Sequence, residues 1–330
     1  MRTSFACTAA VTFAVLLVCQ KPLRAADAVP AGKIPVIFDT DIGDDIDDTW
    51  ALTMLLKSPQ LDVKLITTTC HASQARGRVV AKLLTVAGRT DIAIGLGPGA
   101  EGKTNQDAWT EGFRLDQYAG KVYEDGAQAI IDTIHGSRQP ITVICVGPLQ
   151  TMSAALEKDP SIAAKASFVG MHGSIYKGYG GGSTISAEYN VKRDAAAARR
   201  VLSAPWRSIT ITPLDTCGLV NLGGERFEAL KKSDDAMVKA LLENYRIWSK
   251  KGQVAELTAS STLFDTVGIY LGYPGPKELA RFETLNVAVT DDGFTRIDPA
   301  GTKMSAAVEW KSLDGYRDLL VKRLLSPVVR

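Results

Sequence analysis

The segment Asp39-Thr40-Asp41-Ile42-Gly43-Asp44-Asp45-Ile46-Asp47-Asp48 places six carboxylates within ten residues, directly after the apolar run Ile34-Pro35-Val36-Ile37-Phe38. Carboxylates this close repel one another unless a cation neutralises them. On a surface loop they would be solvated charge. At the carboxyl end of a buried strand they read as a cation site. Ligands that are all oxygen select a hard cation, calcium or magnesium, over zinc.

Two familiar acidic loops do not fit. An EF-hand loop needs regular Asp spacing, Gly at its sixth place and Glu at its twelfth, and that register fails here. A phosphatase of the haloacid-dehalogenase type also begins strand-Asp-x-Asp, but carries Thr or Val at the fifth position, where this chain has Gly43. Neither accounts for the further pair Asp47-Asp48.

Elements that must position this cluster follow from hydrophobic patterning. Short, nearly continuous apolar runs at Ile34–Phe38, Val63–Thr68, Ile92–Ile94 and Ile141–Val146 read as strands buried on both faces. They alternate with helical patterns at Asp47–Leu56 and near Gln74–Val86. Such alternation predicts an α/β fold: one domain, with a mostly parallel, Rossmann-like central sheet flanked by helices. Ligands in such sheets sit beyond the carboxyl ends of the strands. After about residue 235 the pattern turns helical (Ala236–Trp248, Leu263–Leu271). A shorter β-like tail follows (Leu285–Val289, Ala306–Glu309), then a closing helix from Leu313. The Gly-rich stretch Tyr179–Ser183 lacks a phosphate-binding pattern and reads as a flexible loop.

Residues 1–28 have the layout of a cleavable signal peptide: Arg2, an apolar run from Ala9 to Cys19, and small residues before cleavage after Ala25 or Ala28. The expected location is therefore periplasmic or secreted, with no membrane attachment after cleavage. Three of the 38 basic and one of the 36 acidic residues fall in that segment, leaving 35 of each. A balanced chain lacks the basic face that nucleic-acid backbones require. Cys70, Cys145 and Cys217 remain, and they read as buried small hydrophobes rather than a disulfide framework.

Taken together, several blocks resemble the inosine–uridine-preferring nucleoside hydrolase family. Asp39-Thr40-Asp41-x-Gly43 followed by Asp47-Asp48-x-x-Ala51-Leu52 is similar to its signature. Gly88–Ile92, Val146-Gly147-Pro148-Leu149 with Thr151, Met171-His172-Gly173, Ala187-Glu188-Tyr189-Asn190 and Leu263-Phe264-Asp265-Thr266-Val267 follow in the family's order. The resemblance implies that residues 29–330 form a nucleoside hydrolase-like catalytic domain. It implies Ca2+ held by Asp41, Asp48, Asp265 and the main-chain carbonyl of Val146. Asp47 would be the general base that takes a proton from the attacking water, while Glu188, Asn190 and Met171 bind the ribose. The reaction would split ribonucleosides into ribose and free base, as an N-glycosidic counterpart of an inverting glycosidase. A homodimer or homotetramer is implied by the same likeness.

Departures from the family pattern leave alternatives open. Two extra residues between Gly43 and Asp47 allow Asp45 to hold the base position instead. His71-Ala72 stands where Gly-Asn is frequent, Gly182 where an Asn is usual, and Phe264 where a leaving-group His often precedes the last Asp. The chain could then be a nucleoside- or ribose-binding protein without catalysis, or a hydrolase of another ribosyl conjugate; the base preference stays open. Of Trp50, Trp109, Trp206, Trp248 and Trp310, Trp109 in a loop with Asn105 and Asp107 is the first candidate to stack on the leaving base.

Overall fold

β1 (Ile34–Thr40) lies at the centre of a ten-stranded sheet in this computed structural model, which describes Met1 and residues 32–99, 101–273 and 277–329. The expected leader, residues 1–28, lies outside the described residues apart from Met1. The remaining strands are β2 (Leu61–Thr68), β3 (Ala93–Gly95), β4 (Val122–Tyr123), β5 (Ile141–Cys145), β6 (Ala166–Met171), β7 (Ile209–Thr212), β8 (Ala280–Val289), β9 (Thr295–Ile297) and β10 (Thr302–Trp310). Their spatial order is β4-β3-β2-β1-β5-β6-β7-β10-β8-β9. Every neighbouring pair from β4 through β10 is parallel, and β8 and β9 add an antiparallel edge. The mostly parallel α/β architecture matches the sequence reading; the strands β4, β6, β7 and β9 do not appear in it.

The helices are α1 (Asp47–Leu56), α2 (Ser73–Val86), α3 (Gly126–Gly136), α4 (Gln150–Lys158), α5 (Tyr189–Arg193), α6 (Ala195–Ser203), α7 (Gly224–Lys231), α8 (Ala236–Trp248), α9 (Phe264–Gly272) and α10 (Leu313–Leu324). Alternation along β1 sorts the core onto two faces. Val36 and Phe38 join a cluster with α1, α2 and α7 to α10, whereas Ile37 joins the opposite cluster with α3, α4 and α6. The tail alternates likewise, with Ala307 in the first cluster and Ala306 and Val308 in the second. Among the described residues no helix is long and apolar enough to cross a membrane.

The strand order reverses between β2 and β5, which flank β1 on opposite sides. That switch point opens a crevice at the carboxyl ends of β1 and β5, where Asp39–Asp41 and Val146 emerge. Helix α1 then returns through the core with all ten residues buried, an unusual setting for a helix whose first turn is Asp47-Asp48. Trp50 anchors it: the indole is fully buried, edge-on to Tyr245 at 6.0 Å and tilted on Phe227 at 6.3 Å. Its N–H has no hydrogen-bond partner. Trp50→Ala is therefore expected to cost about 3–5 kcal/mol in urea denaturation, and Trp50→Phe less than about 1.5 kcal/mol, since no hydrogen bond is lost. A Phe variant as unstable as the Ala variant would refute this account of the site's anchor.

Candidate active site

The cavity at the switch point has a volume of about 400 Å³. Its floor is acidic: Asp41 at the end of β1, Asp47 and Asp48 in the first turn of α1, and Asp265 in the first turn of α9. Helices α1 and α9 both begin here, and the positive ends of their dipoles favour carboxylates in those turns. Asp47, Asp48 and Asp265 offer oxygens that all lie within 4.8 Å of one another. The Asp265 N–H donates to Asp47 Oδ2 at 3.3 Å, and the Thr40 hydroxyl donates to Asp48. Val146 and Asn190 line the same space; Asn190 Nδ2 donates to the Val146 carbonyl at 2.7 Å and to the Met171 carbonyl at 3.1 Å.

Burial and mutual repulsion together push these acids upward. Desolvation, then the charges of Asp45 and Asp41, raise Asp47 well above the usual carboxylate range. Desolvation, then Asp41 and Asp47, do the same to Asp48; desolvation, then Asp47 and Asp48, raise Asp265. Asp41 rises to about 6 through desolvation that Arg76 partly offsets. Asp39, directly behind, is fully buried and reaches about 8 despite the Thr67 hydroxyl on its Oδ1 at 2.5 Å, and its Oδ2 has no partner. A donor set made of oxygen alone, crowded to this degree, fits a hard divalent cation. The main chain is shaped for close approach as well. A Cβ at Gly147 would lie 2.6 Å from Asp41 Oδ1, so only glycine lets this backbone pass the carboxylate.

The acidic loop between β1 and α1 is held by four donors that reach it from elsewhere in the chain. Arg76 of α2 is fully buried; it donates to the Asp41 carbonyl, to the Ile42 carbonyl at 3.0 Å and to Asp44 Oδ2 at 2.6 Å. Gln106 Nε2 donates to the Asp45 carbonyl at 2.9 Å, while Asn105 Nδ2 and Trp248 Nε1 both donate to the Asp44 carbonyl, at 3.0 and 2.8 Å. Gly43 makes the turn at φ 124°, and a Cβ there would meet Thr104 at 2.8 Å. The two-residue insertion is thus a fixed loop rather than slack chain.

The structure brings Asp41, Asp47, Asp48, Asp265, Val146, Glu188, Asn190 and Met171 to one cavity. Glu188 also caps α5: its carboxylate accepts the N–H groups of Asn190 (2.7 Å), Gly173 (3.0 Å) and Val191 (3.3 Å). Desolvation outweighs those bonds and lifts it to about 7. Asp45 is at the exposed rim, one oxygen taken by the Ile46 N–H at 2.7 Å. His172 is structural, fully buried and pushed down to about 4 by burial. His71 is half exposed, flanked by Cys70 and Ala72, which adopt left-handed φ values of 67° and 56°. Cys70, Cys145 and Cys217 are free and buried.

Trp109 requires a correction: it does not line the cavity. Its ring packs in the core beneath the Lys82 ammonium, 4.5 Å from the centroid, because the loop that carries it folds back onto α2. The aromatic wall is instead Tyr179, Tyr189, Trp248 and Phe264. Tyr179 comes from the Gly-rich stretch, which is a hydrogen-bonded turn closed by Gly178 N–H on the Gly182 carbonyl at 2.9 Å. Sequence patterning missed Arg76, Tyr179 and Tyr189. Only Tyr189 carried a local signal, standing between Glu188 and Asn190.

Arg76→Met removes the cation from a partly buried pair and leaves the carbonyls of His71, Asp41 and Ile42 without its donors. The expected cost is about 3–5 kcal/mol in chemical denaturation, with Arg76→Lys recovering only part because an ammonium cannot serve these four acceptors in fork geometry. Stability within about 0.5 kcal/mol of the parent in Arg76→Met would contradict the stapling role.

Comparison with known proteins agrees with this geometry. The family model described as inosine-uridine preferring nucleoside hydrolase matches residues 36–312. Pyrimidine-specific ribonucleoside hydrolase RihA of Salmonella newport (strain SL254) is 28% identical over 319 residues, covering 88% of this chain and 98% of that protein. Probable uridine nucleosidase 2 of Oryza sativa subsp. japonica is 29% identical over 195 residues, 55% of this chain and 57% of that protein. Among solved structures, the plant nucleoside hydrolase PpNRh1 enzyme superposes with a TM-score of 0.74 at 23% identity, covering 89% of this chain and 99% of that one. With its acidic cavity at the switch point and a family match spanning most of its length, the chain belongs to the inosine-uridine preferring nucleoside hydrolases, a family of N-glycosyl hydrolases.

Proposed function

We propose that this protein hydrolyses the N-glycosidic bond of ribonucleosides in a calcium-dependent reaction, releasing ribose and free base. The observation that carries the reading is one cavity in which Asp41, Asp48, Asp265 and Val146 meet Asp47 and the polar pair Glu188 and Asn190. Calcium, when bound, would supply Lewis-acid chemistry, easing deprotonation of water and orienting a ribose diol. Asp47 takes the proton as water adds to the anomeric carbon from the side opposite the base, through an oxocarbenium-like transition state. Glu188 and Asn190 hold ribose hydroxyls, and Met171, which lines the same cavity, adds an apolar contact. Asn190, bonded to the Val146 carbonyl, ties the sugar contact to a proposed ligand. The signal-like residues 1–28 support export to the periplasm or medium, and the family likeness supports a homodimer or homotetramer.

A second assignment exchanges two roles. The compact trio contains Asp47, not Asp41. On this reading Asp47 completes the ligand set and Asp41 takes the proton.

Exhaustive chelation is expected to abolish turnover and lower the melting temperature, both restored by calcium, because a ligand bound to the folded state alone adds to its stability. Unchanged melting and full activity after verified metal removal would overturn calcium dependence. Asp48→Ala and Asp265→Ala are each expected to lose calcium binding by calorimetry. Asp47→Asn should keep calcium and lose turnover by about 10² or more. Calcium loss in Asp47→Asn, with calcium kept and turnover lost in Asp41→Asn, selects the second assignment. The same phenotype in Asp45→Asn would place the base at position 45.

A further inference from the structure

Seven carboxylates line the cavity, those of Asp41, Asp44, Asp45, Asp47, Asp48, Glu188 and Asp265, and among the described residues no lysine, arginine or histidine lines it. Fully ionised, they exceed what one divalent cation neutralises. Asp44 is paired with Arg76 behind the wall at 2.6 Å. Asp45 at the rim directs one oxygen to the Ile46 N–H and has no basic side chain at ion-pair distance among the described residues. The rim is also aromatic. Trp248 is locked by its bond to the Asp44 carbonyl at 2.8 Å and by Tyr245, stacked on it at 5.9 Å and 28°. Its indole and the Asp45 carboxylate are therefore fixed to the same stretch of main chain. Phe264, edge-on to Tyr179 at 6.2 Å, has no proton to give a leaving group. The protic side chains of this wall are phenols, an amide and an indole, all weak acids.

These features agree on one kind of leaving group. We propose, resting on the ribonucleoside-hydrolase reading above, that the preferred substrate is a riboside whose aromatic base carries a fixed positive charge at the ring nitrogen joined to ribose, the N-ribosylpyridinium class. A surplus of carboxylates attracts such a ring, and aromatic faces bind it by cation–π contact. Chemistry at the base end then needs no acid. The water oxygen bonds to C1′, and the C1′–N bond breaks with both electrons passing to the ring nitrogen, which becomes neutral. The water proton passes to a carboxylate and on to solvent, so the products are ribose, a neutral heteroaromatic base and one proton. A neutral nucleoside would instead release an anion among carboxylates unless something protonated it, and like charges so placed repel.

The test uses calcium-loaded enzyme with N-ribosylnicotinamide, uridine, inosine and p-nitrophenyl riboside, whose activated leaving group needs no proton. kcat/KM for N-ribosylnicotinamide is expected to exceed those for uridine and inosine by about tenfold or more, and Asp45→Asn and Trp248→Leu should each lower that preference several-fold. Calorimetry supplies a readout without turnover: the N-methylnicotinamide cation should bind about fivefold or more tighter than neutral nicotinamide, with the difference shrinking in Asp45→Asn. Turnover of p-nitrophenyl riboside with no preference for the cationic riboside, or equal binding of cation and neutral ring, would overturn this inference alone. No turnover of any riboside would overturn the hydrolase reading with it.

Discussion

Carboxylates brought together away from water repel one another, and the architecture around β1 is organised by that repulsion. Asp41, Asp47, Asp48 and Asp265 are each less than a tenth exposed, and each is driven upward chiefly by desolvation. The protein offsets the cost locally with two helix N-termini, the Thr40 and Thr67 hydroxyls and the Arg76 guanidinium. What remains is a deficit of positive charge inside an oxygen-lined hollow, which is the physical description of a hard-cation site.

That constraint explains why the helices around the cavity are so thoroughly buried. A site of this kind fails if its carboxylates can swing apart into water, so α1 is wedged into the core by Trp50, and α9 packs against it with all but its first residue buried. The sheet supplies the rest. At the switch point β1 and β5 run side by side, so Asp39 and Cys145 are register partners and the Val146 N–H bonds to the Asp39 carbonyl at 2.9 Å. The main-chain oxygen of Val146 thus emerges beside the acidic loop without any signal from its side chain.

The base end of the cavity obeys different physics. Its loop is fixed by donors from α2, from the segment after β3 and from the end of α8, so the rim's charge and its aromatic ring move as one unit. The groups it offers there are ring faces and carboxylates, and Phe264 among them has no proton to give. On the proposed reading, floor and rim would separate two tasks, water activation at the ribose and discrimination at the base.

Much of this was legible in the chain itself. Strand-length apolar runs and their alternation with helical patterns determined the parallel α/β fold, since burial on both faces leaves no other periodicity. The ten-residue acidic run pointed to a cation site, because such density after a buried strand is costly unless a cation offsets it. Distant blocks at Val146, Glu188–Asn190 and Asp265 could be assigned to the same site only by resemblance. The tertiary structure alone decided the rest. Trp109 went to the core and Trp248 to the rim because a loop's path depends on what it packs against, and both are equally apolar in sequence. Arg76 looked like an ordinary helical cation; only the fold, by burying it beneath the acidic loop, made it the counter-charge of the site. Local composition sets which groups can do chemistry, whereas proximity between residues far apart in sequence is a property of the packed chain.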